Sequence, residues 1–198
     1  VVPPVSTLML ARWATGAPVD RRFVPLTAIS PHLVRAVVAS EDQSFCDHGG
    51  VDWPVLVAET SRHFSGERSF GASTIPMQVT KNLFLWPSRS TLRKAIEVPL
   101  ALGVDLVWSK RRMLEVYLNI AEWGPGIFGA EAAAQRHFRK SAAALTLKEA
   151  ALLATALPNP ILRNPAKPSR GHQRRARIIM ERQAAGGDWL KCLGGAGS

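Results

Sequence analysis

Ser30-Pro31-His32-Leu33-Val34-Arg35-Ala36-Val37-Val38-Ala39-Ser40-Glu41-Asp42-Gln43-Ser44-Phe45-Cys46-Asp47-His48-Gly49-Gly50 is the stretch from which the rest of the chain is read. Ser30 and Pro31 form a helix start, a side-chain cap followed by proline at the first helical position. Leu33, Val34, Val37 and Val38 then recur at helical spacing and predict an apolar face that ends at Glu41. Beyond it come adjacent carboxylates, an aromatic, a further carboxylate, an imidazole and two glycines. A carboxylate at the mouth of an apolar helix is partly desolvated, which raises its pKa toward the range useful for proton transfer. The plainer reading of the same residues is a helix end with a solvated acidic turn.

Working outward, Asp52 caps a predicted helix to about residue 64, with Trp53, Leu56, Val57 and Thr60 on one side. Residues 65–71 read as a polar, glycine-rich loop. Ser73 or Thr74 then caps a helix with Pro76 in its first turn, and such an N-terminus favours an anion. Lys81, Arg89, Arg93, Lys94 and Glu97 place four cations and one carboxylate within 17 residues. Arg93 and Glu97 share a helix face. That pair reads either as a weak surface salt bridge or as part of a phosphate-binding wall. Pro99 lies inside the same helix and is expected to kink it.

Ser109 caps a helix whose apolar side is Met113, Leu114, Tyr117 and Leu118. A glycine-rich turn over residues 122–129 leads into an alanine-rich helix. Thr146 and Glu149 form a capping box before a helix read as structural. A basic, amphipathic helix follows between residues 163 and 182, and residues 186–198 read as a flexible tail. Strand-like alternation is almost absent. The fold class expected is mainly α, with room for one short hairpin.

The 198 residues suit one domain, and 46% hydrophobic with 20% charged residues reads as globular. A formal charge of +10 predicts an anionic partner such as nucleic acid, phospholipid head groups or a phosphorylated substrate. Cys46 and Cys192 suggest neither a disulfide framework nor a metal site by spacing, and they leave the redox compartment open. No uninterrupted apolar run is long enough to span a bilayer. The chain opens without Met, so an N-terminus further upstream is expected.

Taken in order, the motifs resemble those of the peptidoglycan glycosyltransferases, glycosyltransferase family 51. Glu41-Asp42-x-x-Phe45-x-x-His48-x-Gly50 resembles the first. Gly71-Ala72-Ser73-Thr74-Ile75 with Gln78 and Lys81-Asn82 resembles the second, and Arg93-Lys94-x-x-Glu97 the third. Lys110, Leu114-Glu115 and Tyr117-Leu118-Asn119 resemble the fourth, and Gly126, Gly129-Ala130 and Phe138 the fifth. The likeness runs from about residue 31 to 160, and five ordered motifs are far more specific than one. The chain departs from the family at Pro76 and Met77, where a polar residue and a Gln are frequent, at His137 (often Tyr) and at Arg139 (commonly Gly).

The resemblance implies a lysozyme-like domain of two lobes with a cleft between them, here over residues 31–185. Residues 1–30 would lead into it, with an anchor helix upstream. It implies transfer of a growing glycan from undecaprenyl pyrophosphate to the 4-hydroxyl of lipid II, with inversion to a β-1,4 linkage. In that reaction Glu41 is the expected base and Glu97 the second essential carboxylate. Glu97 would orient the donor, hold Lys81 and Arg89, or bind a divalent ion such as Mg²⁺ or Mn²⁺ at the pyrophosphate. Lys81 and Arg89, with Arg93, would gather around the leaving pyrophosphate. Ser73, Thr74 and Gln78 are expected to line the substrate cleft, and Asp42 and His48 to shape the acceptor side. Glu115, Tyr117 and Asn119 are expected to be scaffold.

The expected location is the periplasmic face of a bacterial inner membrane. Membrane head groups and cell-wall synthesis or division proteins are the expected partners, and nucleic acid is not one. A lysozyme-type hydrolase also uses paired carboxylates, but a neutral leaving group would not call for the cluster of Lys81, Arg89, Arg93 and Lys94. A nucleic-acid module fits the net charge alone, since the basic residues are scattered over several elements without a recognisable motif.

Overall fold

The computed structural model describes residues 4–66, 71–86, 90–186 and 189–194. The chain is mainly helical: α1 (Thr7–Ala14), α2 (Pro31–Glu41), α3 (Trp53–Phe64), α4 (Ile75–Phe84), α5 (Thr91–Val107), α6 (Lys110–Ile120), α7 (Ala130–Phe138), α8 (Leu147–Ala156) and α9 (Arg170–Ala184). Three short strands, β1 (Asp20–Arg21), β2 (Glu122–Gly124) and β3 (Ile127–Phe128), form one sheet in the order β1-β3-β2. The expected hairpin is β2–β3, and β1 adds a parallel edge.

The core is centred on α6 and α8. Met113, Leu114 and Val116 to Ile120 are all buried on α6, and Ala150 to Ala156 on α8. Helix α2 lays its predicted face, Leu33, Val34, Val37 and Val38, into the same core. A smaller cluster of Val51, Met77 and Ala101 joins α4 to α5. Caps read from the sequence are present at Thr74, Ser109 and Thr146, the last with its reciprocal Glu149 contact. Helix α5 runs through Pro99 as one element.

Several expectations are corrected. Ser30 stands at the start of α2, but its hydroxyl donates to the Leu145 carbonyl at 2.9 Å and does not cap the helix. The backbone there is docked on the loop before α8, and that contact takes the hydroxyl. On α3, Leu56 packs half-buried against the smaller cluster while Trp53 and Val57 of the same side are exposed, and Glu59 is buried and pairs with Arg62. Within the entry segment, Met9 is fully buried, and Asn119 brackets Val24 by accepting from its N–H and donating to its carbonyl, each at 2.9 Å.

Of the tail read as flexible, residues 189–194 are among those described. Cys46 and Cys192 form a disulfide with a Cα–Cα separation of 5.4 Å. Leu193 is buried and Lys191 pairs with Asp47 at 2.6 Å, so residues 189–194 are docked on the loop after α2.

Candidate active site

Glu41 is the last residue of α2, where the buried face of the helix gives out. It lines a cleft of about 160 Å³ with Asp42, Gln43, Ser44, Asp52, Ser73 and Thr74 among its neighbours. One carboxylate oxygen, Oε2, accepts from Gln78 Nε2 at 3.1 Å, and Oε1 accepts from Ser40 Oγ at 3.2 Å. Burial pushes the Glu41 carboxyl above its usual pKa; the two hydrogen bonds, Arg163 and Lys81 pull the other way and offset only part of it. The result is a carboxylate more basic than an ordinary glutamate at the edge of a cleft, which suits proton abstraction.

Asp42 points inward. His48 Nε2 lies 2.9 and 3.1 Å from its two carboxylate oxygens, and the Ile75 N–H donates to Oδ2 at 2.8 Å. Asp42 therefore ties the loop after α2 to the first turn of α4. Lys110 closes the loop from the other side. It donates to the His48 carbonyl at 2.7 Å, pairs with Asp105 at 2.8 Å and lies over the Phe45 ring at 4.9 Å. Gly50 completes the loop at φ 80°, where a Cβ would sit 2.8 Å from the Ala101 carbonyl oxygen. Asp42 and His48, expected to shape the motif and the acceptor side, hold the loop that follows Glu41, and Asp42 also lines the cleft.

Thr74 is buried. Its hydroxyl donates to the Gly50 carbonyl at 2.7 Å and accepts from the Met77 N–H at 3.3 Å as the cap of α4. Ser73 faces the cleft and accepts from Lys94 Nζ at 2.8 Å. Pro76 and Met77 are both buried, and Met77 belongs to the small core cluster. The departures at these two positions therefore change packing.

Glu97 is 1% exposed, and its carboxylate is shared between Arg93 and Lys94, the latter at 2.7 Å. This is a buried charge cluster, not the weak surface pair that is one reading of the spacing. Its direct partners are Arg93 and Lys94, whereas Lys81 feels Glu97 only at longer range. Lys81, half-buried in the last turn of α4, makes no direct ion pair among the described residues. Burial lowers its pKa, Glu97 and Glu41 raise it in part, and Arg93 and Lys94 lower it further. A desolvated ammonium beside two other cations gains most from an anionic ligand. Arg89 lies outside the described residues.

A divalent ion at Glu97 does not fit these neighbours, because both carboxylate oxygens already face cations. Among the described residues no group of three or more metal-ligating side chains comes together.

Three residues make contacts that the sequence reading did not assign to them. Arg163 follows α8, donates to the Thr155 carbonyl at 2.7 Å and acts on Glu41 across 122 positions. Lys94 was one cation in a cluster until Ser73 and Glu97 gave it partners. Tyr117, read as scaffold, donates to Gln78 Oε1 at 3.0 Å.

A carboxylate made more basic by burial and a desolvated lysine beside two further cations stand together on one mainly helical domain, an arrangement of the kind enzymes use for proton transfer. Residues 8–184 match the family model described as Transglycosylase. The chain is 57% identical over 192 residues to the biosynthetic peptidoglycan transglycosylase of Agrobacterium fabrum, covering 97% of this chain and 85% of the relative. It is 55% identical to the protein so named from Brucella suis biovar 1, over 97% and 86% of the two chains. The protein so named from Rhodospirillum centenum is 56% identical over 93% and 80%. The chain belongs to the peptidoglycan transglycosylase family, glycosyltransferase family 51, and is a glycosyltransferase of cell-wall biogenesis.

Proposed function

We propose that this enzyme polymerises lipid II into β-1,4-linked glycan strands and releases undecaprenyl pyrophosphate. The observation that carries the reading is Glu41, a carboxylate made more basic by burial, lining a cleft and within electrostatic reach of the cation Lys81. Glu41 takes the proton of the acceptor 4-hydroxyl as that oxygen attacks the donor anomeric carbon. The bond from that carbon to the pyrophosphate oxygen breaks from the opposite face, and its electron pair leaves with the pyrophosphate. Attack on one face and departure from the other turns an α-linked donor into a β-linked product. The proton on Glu41 then passes to solvent.

Lys81 receives the charge that develops on the leaving group, with Arg89 and Arg93 as further donors. Glu97 holds Arg93 and Lys94 in place and keeps the wall of cations from dispersing by mutual repulsion. The arrangement fits a lysozyme-like domain of two lobes with the cleft between them. The Cys46–Cys192 disulfide supports an oxidising compartment, hence the periplasmic side of the inner membrane. Exposed Trp53, Val57, Leu106 and Val107, with the net charge of +10, support contact with an anionic membrane surface.

The test is polymerisation of purified lipid II with Glu41→Gln and Glu97→Gln in parallel. Glycan strands from the wild type and a loss of about 10²–10⁴-fold in Glu41→Gln are expected. Digestion of intact sacculi without polymer formation would replace transfer with hydrolysis.

A further inference from the structure

Three helices meet behind Glu41. Tyr117 on α6 is 1% exposed, and its hydroxyl donates to Gln78 Oε1 on α4 at 3.0 Å. The other end of the same amide donates from Nε2 to Glu41 Oε2 at 3.1 Å, with the Ser73 carbonyl at 3.5 Å as a weaker second acceptor. The chain therefore runs from the phenol as donor, through the amide, to the carboxylate as acceptor. We propose that Tyr117 and Gln78 are a positioning pair that holds Glu41 ionised and aimed into the cleft. The proposal rests on the reading of Glu41 as the base.

The physical case lies in the polarity of the chain. A reversed Gln78 amide would set its Oε1 against Glu41 Oε2, two acceptors facing each other. The Tyr117 hydroxyl, donating to Oε1, selects the orientation that gives the carboxylate a donor. Tyr117 is locked by the core, so the amide is fixed from a rigid point. An amide N–H bonded to a carboxylate favours the charged form and also fixes the direction of the remaining lone pairs. Lys81 from α4 and Arg163 from the segment after α8 also favour the ionised carboxylate. Asp42, the adjacent carboxylate, is engaged by His48 and the Ile75 N–H. Ser40 supplies the second donor to Glu41. Of the two hydrogen-bond donors to Glu41, Gln78 is the one whose amide is held by a fully buried side chain, Tyr117.

The experiment follows the Glu41 carboxyl directly by ¹³C NMR titration in wild type, Tyr117→Phe and Gln78→Leu, with Glu41→Gln identifying the signal. Lipid II polymerisation is measured against pH on the same proteins, and thermal melts check folding. The Glu41 midpoint is expected to rise by about one pH unit in Gln78→Leu and by less in Tyr117→Phe. The acidic limb of kcat/KM should move up with it, so the rate deficit is largest at low pH and narrows as pH rises. An unmoved Glu41 titration with an even loss at every pH would make both residues scaffold. An unmoved titration with a raised KM in Gln78→Leu would make Gln78 a substrate contact. A shifted titration in an enzyme that does not turn over lipid II would keep the pair and overturn the proposed reaction. Gln78 is only half-buried, so its variant carries the test if Tyr117→Phe fails to fold.

Discussion

At the residue scale, two groups are tuned in opposite directions by the same cause. Burial raises the Glu41 carboxyl above its usual value of 4.5 and lowers the Lys81 ammonium below its usual 10.5. If the base must be ionised and the cation protonated, kcat/KM falls below the raised Glu41 pKa and again above the lowered Lys81 pKa. The pH profile should therefore be a bell narrower than ordinary glutamate and lysine would give. Lys81→Arg should move the alkaline limb to higher pH, because a guanidinium stays charged there. Lys81→Met should cost about 10²-fold or more at the optimum, a loss of the size seen when one preorganised transition-state donor is removed. Asp42 makes a separate prediction. Asp42→Asn weakens both the His48 contact and the charge-assisted bond from the Ile75 N–H. A loss of about 1.5–3 kcal/mol in a denaturant melt is expected. Glu41, Lys81 and Glu97 were legible as candidates because unlike charges stood beside apolar runs. The inward turn of Asp42 and His48 was not, since it depends on a partner 33 positions away.

At the element scale, caps were the most legible feature. Thr74, Ser109 and Thr146 each act within three residues, so the sequence contains the whole interaction. Ser30 failed because its partner, the Leu145 carbonyl, is 115 positions distant. On α3, periodicity says which residues share a side but not whether that side meets the core, and Trp53 and Val57 are exposed. The strands were too short to show alternation, and β1 pairs with a strand more than 100 positions later. One element end carries a prediction. Arg139 closes α7 in the left-handed region at φ 56°, the only non-glycine residue at positive φ among those described. Its side chain is exposed. Arg139→Gly should remove the Cβ strain and raise stability by about 0.5–1 kcal/mol, read as a higher melting temperature with unchanged glycan synthesis.

At the scale of the whole molecule, the helical class and the order of the motifs were legible because each is a property of consecutive residues. The disulfide was not, since Cys46 and Cys192 stand 146 positions apart and two isolated cysteines carry no spacing signal. In the fold that bond joins the C-terminal segment to the loop that leaves Glu41. Among the polar contacts around it, the Lys191–Asp47 pair is about half exposed, and Arg111 reaches the Leu193 carbonyl at 3.4 Å. An exposed pair contributes little. Leu193 is buried, and Trp189 and Leu190 pack half-buried against the same core, so the cross-link adds to these apolar contacts in keeping the segment docked. Reduction, or Cys46→Ser with Cys192→Ser, should lower global stability by about 2–4 kcal/mol, because a long closed loop is released in the unfolded chain. Reductant should shift the melt of the wild type and leave the double variant where it is. Amide exchange in the reduced protein should quicken first at residues 189–194 and then along 42–50. Core amides of α6 and α8 should follow only as far as global stability falls. If exchange along 42–50 does not change on reduction, the contacts of Asp42, His48 and Lys110 suffice to hold the catalytic loop, and the disulfide fastens the tail alone.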